Sequence, residues 1–201
     1  MTPAIFNNVY KSALLRTLFL ILFLILTLPS ICAAATTVSS DITTDTSWTL
    51  AGSPYTVTTS IRVQGTDGDD GVTTLTIEPG VEVKFDTNKS LSIGYYSGDP
   101  GALIAQGTSD SRITFTSSAA TPTPGNWSGI LFGDTASNSL TILDYCDISY
   151  AAHGSGSLYI YKSNPTIKNS TIKYSSQAGI YIVQYGSPLI ENCIIQNNET
   201  Y

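Results

Sequence analysis

Apolar and polar residues alternate along this chain in short runs and nowhere settle into a longer period. Thr74-Leu-Thr-Ile77, Val81-Glu-Val-Lys-Phe85, Leu91-Ser-Ile93, Ile113-Thr-Phe115, Ile130-Leu-Phe132, Leu158-Tyr-Ile160 and Ile180-Tyr-Ile182 each send every second side chain to one face. That is the period of a β-strand with one face in and one face out. Gly, Pro, Asn, Asp or Ser punctuates nearly every run, and these are the residues that turn a backbone. Past residue 36 no stretch repeats its apolar positions near 3.6, so helix is not expected. Ser and Thr together supply 47 of residues 36–201, a polar but uncharged bias that agrees with strands and turns. Residues 36–60, Thr-rich with Trp48, Pro54 and Tyr55, read as a lead-in or end cap. Gly65–Gly71 and Ala119–Asn126 read as exposed insertions between strands.

The strands recur. Asn164-Pro-Thr-Ile-Lys-Asn-Ser-Thr-Ile-Lys-Tyr174 aligns with Ser187-Pro-Leu-Ile-Glu-Asn-Cys-Ile-Ile-Gln-Asn197 at an offset of 23. Ile167 meets Ile190, Asn169 meets Asn192 and Ile172 meets Ile195. One unit earlier, Ile148 meets Ile172 and Tyr150 meets Tyr174 at offset 24, while Ile142 is expected over Ile167 at 25, with a one-residue slip. Leu158-Tyr-Ile160 and Ile180-Tyr-Ile182 are 22 apart. A single unit of three short strands has too little apolar face to stand alone. Stacked units make parallel ladders and one continuous core. Asn169 over Asn192 is expected to be a turn residue whose amide bonds to its neighbour in the next coil.

A period of this length also suits leucine-rich repeats, but their fixed Leu and Asn framework is missing. The pattern Pro-x-Ile-x-Asn-x-x-Ile followed by Gly-Ile-x-Ile instead resembles the coil of right-handed parallel β-helices of the pectin-lyase-like superfamily. Thr74–Phe85, Ala102–Thr108, Ile113–Ser117 and Trp127–Gly133 are similar to the opening coils of secreted bacterial members. The resemblance covers roughly residues 48–201 and implies an all-β solenoid. Its repeat in the C-terminal half is about 22–25 residues per coil, within the range of solenoid repeats. The solenoid is expected over residues 61–201. The last unit stops at Tyr201 without a cap, so an open C-terminal coil, a truncated or partial chain, and self-association through that end are expected.

The N-terminal residues carry an address. Lys11 and Arg16 precede the apolar run Leu18–Leu28, Pro29 and Ser30 break it, and Ala33-Ala-Ala35 follows. A basic flank, a short apolar core and a small-residue exit describe a secretory signal peptide over residues 1–35. The alternative, an uncleaved anchor, calls for about 20 strongly apolar residues, more than this core holds. The rest of the chain is therefore expected to be secreted or at the cell surface. It carries seven Lys and Arg against fifteen Asp and Glu after residue 35, a net charge of −8. Such a surface repels phosphate backbones and anionic lipid heads, which sets aside nucleic acid and any membrane contact beyond the signal segment.

Chemistry is sparse. One His and three Cys cannot build a usual four-ligand zinc site. Cys146, Ser170 and Cys193 share one repeat position. The two thiols lie two coils apart, beyond disulfide reach, and are expected free and buried. The resemblance implies lyases that hold Ca²⁺ on clustered carboxylates beside a basic residue, and hydrolases with paired carboxylates. Asp144 and Asp147 come nearest to such a pair but read as turn residues. His153 lacks the Gly-His-Gly setting of galacturonan hydrolases, and Lys162, Lys168 and Lys173 read as solvated. Asp67, Asp69 and Asp70 on their Gly-rich loop are the candidate Ca²⁺ ligands, and no other cofactor is expected. Tyr159, Tyr161, Tyr181 and Tyr185 lie on or beside repeat strands, where outward rings would stack on sugars. The sequence points to an exported, non-catalytic scaffold, a stalk, surface-layer element or adhesion/glycan-contacting module, with extracellular polysaccharide as an expected partner. The alternative is a polysaccharide lyase or glycoside hydrolase whose catalytic coils lie beyond Tyr201.

Overall fold

The structure, a computed structural model, describes residues 35–95, 98–152 and 154–200, all within the unit Ala33–Tyr201. The apolar leader, with Cys32, and His153 lie outside the described residues. Strands begin at once: β1 (Thr36–Val38), β2 (Thr46–Trp48), β3 (Tyr55–Val57), β4 (Ile61–Val63), β5 (Thr73–Ile77) and β6 (Glu82–Phe85). The middle of the chain supplies β7 (Ser90–Ile93), β8 (Gly101–Gln106), β9 (Ile113–Ser117), β10 (Gly129–Phe132), β11 (Ile142–Asp144) and β12 (Cys146–Ser149). The last rungs are β13 (Gly156–Tyr161), β14 (Thr166–Lys168), β15 (Thr171–Lys173), β16 (Ala178–Val183), β17 (Leu189–Glu191) and β18 (Ile194–Gln196). A short 3-10 turn at Leu50–Gly52 is the sole helical element among the described residues.

Three parallel sheets result. The first runs β1-β3-β6-β9-β12-β15-β18, the second β16-β13-β10-β7-β4, and the third β17-β14-β11-β8-β5-β2. Each turn of chain visits the third, first and second sheet in order before it starts the next rung. Parallel neighbours joined by such crossovers wind right-handed, which makes this a right-handed parallel β-helix. Residues 36–60 contribute β1–β3, so the lead-in is built from the same rungs as the rest.

The interior is a set of ladders. Trp48, Ile77, Ala105, Leu143, Ile167 and Ile190 stand in one column through the third sheet. The chain spends most sequence between Ala105 and Leu143, and that coil absorbs the insertion at 119–126. The coil from Trp48 to Ile77 absorbs the one at 65–71. From Leu143 onward the coils shorten and become regular. Val83, Phe115, Ile148, Ile172 and Ile195 form the column of the first sheet. All but the last residue of that column are fully buried. Each buried aliphatic side chain contributes about 1.5–3 kcal/mol before conformational entropy is set against it. Trp127 is fully buried, stacks on Phe85 at 4.1 Å and donates its indole N–H to the Ser149 carbonyl at 2.8 Å.

One register and one hydrogen-bond partner differ from expectation. Leu143, not Ile142, pairs with Ile167, and the offset is a regular 24 with no slip. Leu143 is fully buried while Ile142 is half-buried on the outer face, and two adjacent apolar residues hide which of them points inward. Asn169 does stack over Asn192, but its amide donates to Asp144 Oδ1 of the preceding coil at 2.8 Å. An ionised carboxylate is a stronger acceptor than a second amide. What the corner repeats is a backbone conformation. Tyr145, Asn169 and Asn192 have φ of 47°, 47° and 53°, and Tyr150, Tyr174 and Asn197 have 62°, 56° and 55° at the next corner. Asn tolerates this left-handed region better than most residues. The corner amides of Tyr145 and Asn169 each donate to a carbonyl one coil on, at Lys168 and Glu191.

The last rung is exposed. Ile182, Leu189, Ile190, Ile194 and Ile195 are 39–55% accessible, whereas their counterparts in earlier coils are buried or half-buried.

Candidate functional site

The outer face of the second sheet gathers chemistry-bearing side chains from several coils. Its central outward column is Arg62, Ser92, Leu131, Tyr159 and Tyr181, one residue per rung. Each lies between two inward apolar residues, as Ile61-Arg-Val63 and Leu158-Tyr-Ile160 show, so the pleat turns it to the outer face, where Ser92 is nonetheless left buried at 8% exposure. The rings of Tyr159 and Tyr181 stack at 5.8 Å with an interplanar angle of 29°. Tyr95, from the connection after β7, meets Tyr159 edge-on at 6.2 Å and Tyr161 at 6.4 Å. Lys162 holds its ammonium 5.0 Å from the centre of the Tyr161 ring. A side-chain hydrogen bond with Tyr161 raises the Lys162 pKa above its ordinary value.

A shallow groove of about 360 Å³ continues from this platform toward the N-terminal rungs, lined by Asp41, Ser60, Arg62, Ser92, Tyr95 and Leu131 among others. Asp41 Oδ1 accepts the backbone N–H of Arg62 at 2.8 Å, which fixes the carboxylate at the groove's end. One end of the face therefore offers hydroxyls, a carboxylate and a guanidinium, and the other offers aromatic rings. Such a surface suits an amphipathic, polyhydroxylated ligand: rigid rings supply contact area at little entropic cost, and the polar groups orient it.

Of the residues singled out from the sequence, Tyr159, Tyr161 and Tyr181 are brought together here. Tyr185 is not: it lies beyond β16 at a corner with φ 68°, 98% exposed. The residues that sequence reasoning did not include are Arg62, Ser92, Leu131, Tyr95 and Asp41. A signal for the first three existed in the apolar-x-apolar strands, where x runs Arg, Ser, Leu, Tyr, Tyr. The longer and unequal coils of the N-terminal half hid their alignment.

The Asp-rich loop is built otherwise. Asp67 Oδ2 accepts the backbone N–H of Asp45 at 2.7 Å, and Asp70 Oδ1 accepts that of Val72 at 3.0 Å. Asp69 is exposed between them. Asp67 and Asp70 shape turns, and among the described residues no three Asp, Glu, His or Cys side chains converge as a metal site requires. Asp144 and Asp147 fall on different sheets. Asp144 takes the Asn169 amide, and Asp147 pairs with Arg112 at 3.0 Å. Lys168 bridges to Glu191 on the next rung at 3.2 Å.

Neither Cys146 nor Cys193 is in a disulfide. Cys146 is fully buried, as expected, with its Sγ facing the carbonyls of Ala105 and Asp144. Burial pushes this thiol well above its ordinary value, against the opposing pull of Arg112. Cys193 is only partly buried, contrary to expectation, because it sits on the exposed last rung. Ser170 lies between them and accepts the Cys146 backbone N–H at 3.0 Å.

No curated protein and no solved structure matches the chain. A family model does, described as the right handed beta helix region, over residues 101–201. That span runs from β8 to the last rung and includes β10, β13 and β16, whose outward residues form the aromatic end of the face. With half its length matched and every sheet parallel, the chain belongs to the right-handed β-helix family.

Proposed function

We propose that this protein is an exported, non-catalytic β-helix scaffold whose second sheet contacts polysaccharide outside the cell. The observation that carries the reading is the cluster of Tyr95, Tyr159, Tyr161 and Tyr181 on the outer face of a 5-stranded parallel sheet. Outward tyrosines satisfy strand propensity one at a time. Four of them from three separate stretches of sequence, continued by a polar groove, make a contact surface.

The other sheets support the scaffold role. Several of their carboxylates are already engaged: Asp147 by Arg112, Asp144 by Asn169 and Glu191 by Lys168. The apolar leader supports the exported address. Fractionation of cells expressing the full chain, with N-terminal sequencing of the product, tests it: a product beginning near Thr36 outside the cytoplasm is expected, and an intact cytoplasmic chain refutes it. Retention on a panel of insoluble plant, fungal and bacterial polysaccharides tests the contact surface. Retention without release of reducing sugar or unsaturated product is expected, and product release makes the protein an enzyme instead.

A further inference from the structure

The proposed contact face has a charge pattern that narrows what it holds. This inference rests on the polysaccharide reading above. Beyond residue 35 the chain has a net charge of −8, a field that resists a polyanion. Within the groove the Arg62 guanidinium shares its place with the Asp41 carboxylate, which is anchored to the same residue's backbone at 2.8 Å. At the other end the cation Lys162 lies against the Tyr161 ring, with Asp134 close enough to act on its charge. Between the two, Ser90, Ser92, Leu131, Tyr95 and Tyr159 bear no charge. A carboxylate on every sugar would meet Asp41 and the acidic field with no matched row of cations. Hydroxyls would find both donors and acceptors.

The geometry also sets a direction. Outward residues line up across the strands, so a ligand touching Arg62, Ser92, Leu131, Tyr159 and Tyr181 in turn runs along the solenoid axis. Five rungs span roughly 19 Å at parallel-strand spacing, room for about four pyranose rings. We infer that this face binds a linear neutral polysaccharide laid along the axis, its apolar ring faces on Tyr95 and Tyr159 and its hydroxyls on Asp41, Arg62 and Ser92, and that it discriminates against polyuronates.

The test is isothermal titration of the folded protein with cellohexaose, xylohexaose, mannohexaose and hexagalacturonate, repeated with the corresponding trisaccharides. At least one neutral hexaose is expected to bind at least tenfold more tightly than hexagalacturonate, and more tightly than its own trisaccharide. Y159L keeps an apolar side chain on the strand and is checked by an unchanged thermal midpoint. It is expected to weaken that binding by about tenfold, as loss of a central aromatic contact does. Y174N, on the Tyr150–Tyr174 stack at the corner after β15 and outside the groove lining, is expected to leave it unchanged. Tighter binding of hexagalacturonate, itself weakened by Y159L, overturns the neutral specificity and leaves the polysaccharide surface standing. Binding of none of the four, or binding indifferent to Y159L, overturns both.

Discussion

The two described cysteines show how one repeat position yields two chemistries. Cys146 and Cys193 occupy the same corner, each Sγ near the carbonyl two residues back and a carbonyl of the coil beneath. Only Cys146 has a full coil above it. A thiol reagent is expected to modify Cys193 quickly in folded residues 36–201 and Cys146 only when the solenoid opens, read by mass spectrometry of time-quenched samples. Equal rates would place Cys146 at the surface. The raised thiol also makes stability depend on pH. An unfolded Cys ionises near pH 8.5. Below that pH both states keep the proton and the contribution is complete. As the pH rises above it the unfolded chain sheds a proton that folded Cys146 retains, so stability declines by up to about 1.4 kcal/mol per pH unit. Urea midpoints between pH 8 and 10 are expected to fall more steeply for the natural chain than for C146S. Serine is the substitution to use because Ser170 already fills the equivalent place one coil on, with its hydroxyl donating to the Lys168 carbonyl.

At the scale of a strand and its corner, position within the stack decides cost. Ile172 lies fully buried between Ile148 and Ile195, so Ile172→Ala removes contacts above, below and across the core. A loss of about 2–5 kcal/mol is expected from chemical denaturation. Ile195→Ala, the same change on a residue 46% exposed, is expected to cost well under half as much. The corner at Asn169 separates conformation from hydrogen bonding. With φ at 47°, Asn169→Gly loses the amide contact to Asp144 but relaxes the backbone, while Asn169→Val loses the contact and forces a β-branched residue into the left-handed region. Val is expected to be less stable than Gly by at least about 1 kcal/mol in the same denaturation assay. Equal stability would mean that the corner conformation is not what the position selects.

Across the whole molecule, stability follows the neighbours each rung has, since a solenoid adds nearest-neighbour interfaces in a line. β7 and β10 are covered on both sides within their sheet, and the large rings of the same coils, Phe85, Phe115, Trp127 and Phe132 of β10 itself, are all fully buried. β17 and β18 have one neighbour each and no buried residue. Amide hydrogen exchange is expected to show protection declining from β7–β10 toward β17 and β18, with the slowest amides in the second sheet. Uniform protection through Gln196 would show the last rung covered, as in an assembly of chains. The aromatic face straddles this gradient: Ser92 and Leu131 stand on the firm part, Tyr181 on the looser part.

The amino-acid sequence by itself determined the strands, the corners and the repeat. A β-branched alternation of period two and a recurring turn are local properties, and matching units at a near-constant spacing leave stacking as the way to bury their small apolar faces. It also set which tyrosines face outward in those units, since the pleat follows from alternation. Only the tertiary structure decided which of Ile142 and Leu143 points inward, because either choice keeps the pattern apolar and packing across the coil selects one. It alone brought Asp41, Arg62, Ser92 and Tyr95 onto one face with Tyr159. Insertions stretch the earlier coils beyond the spacing of the later ones, so positions far apart in the chain meet in one column through hydrogen-bonded register. Contact between rungs depends on strand pairing in space, and that information is spread over the whole solenoid.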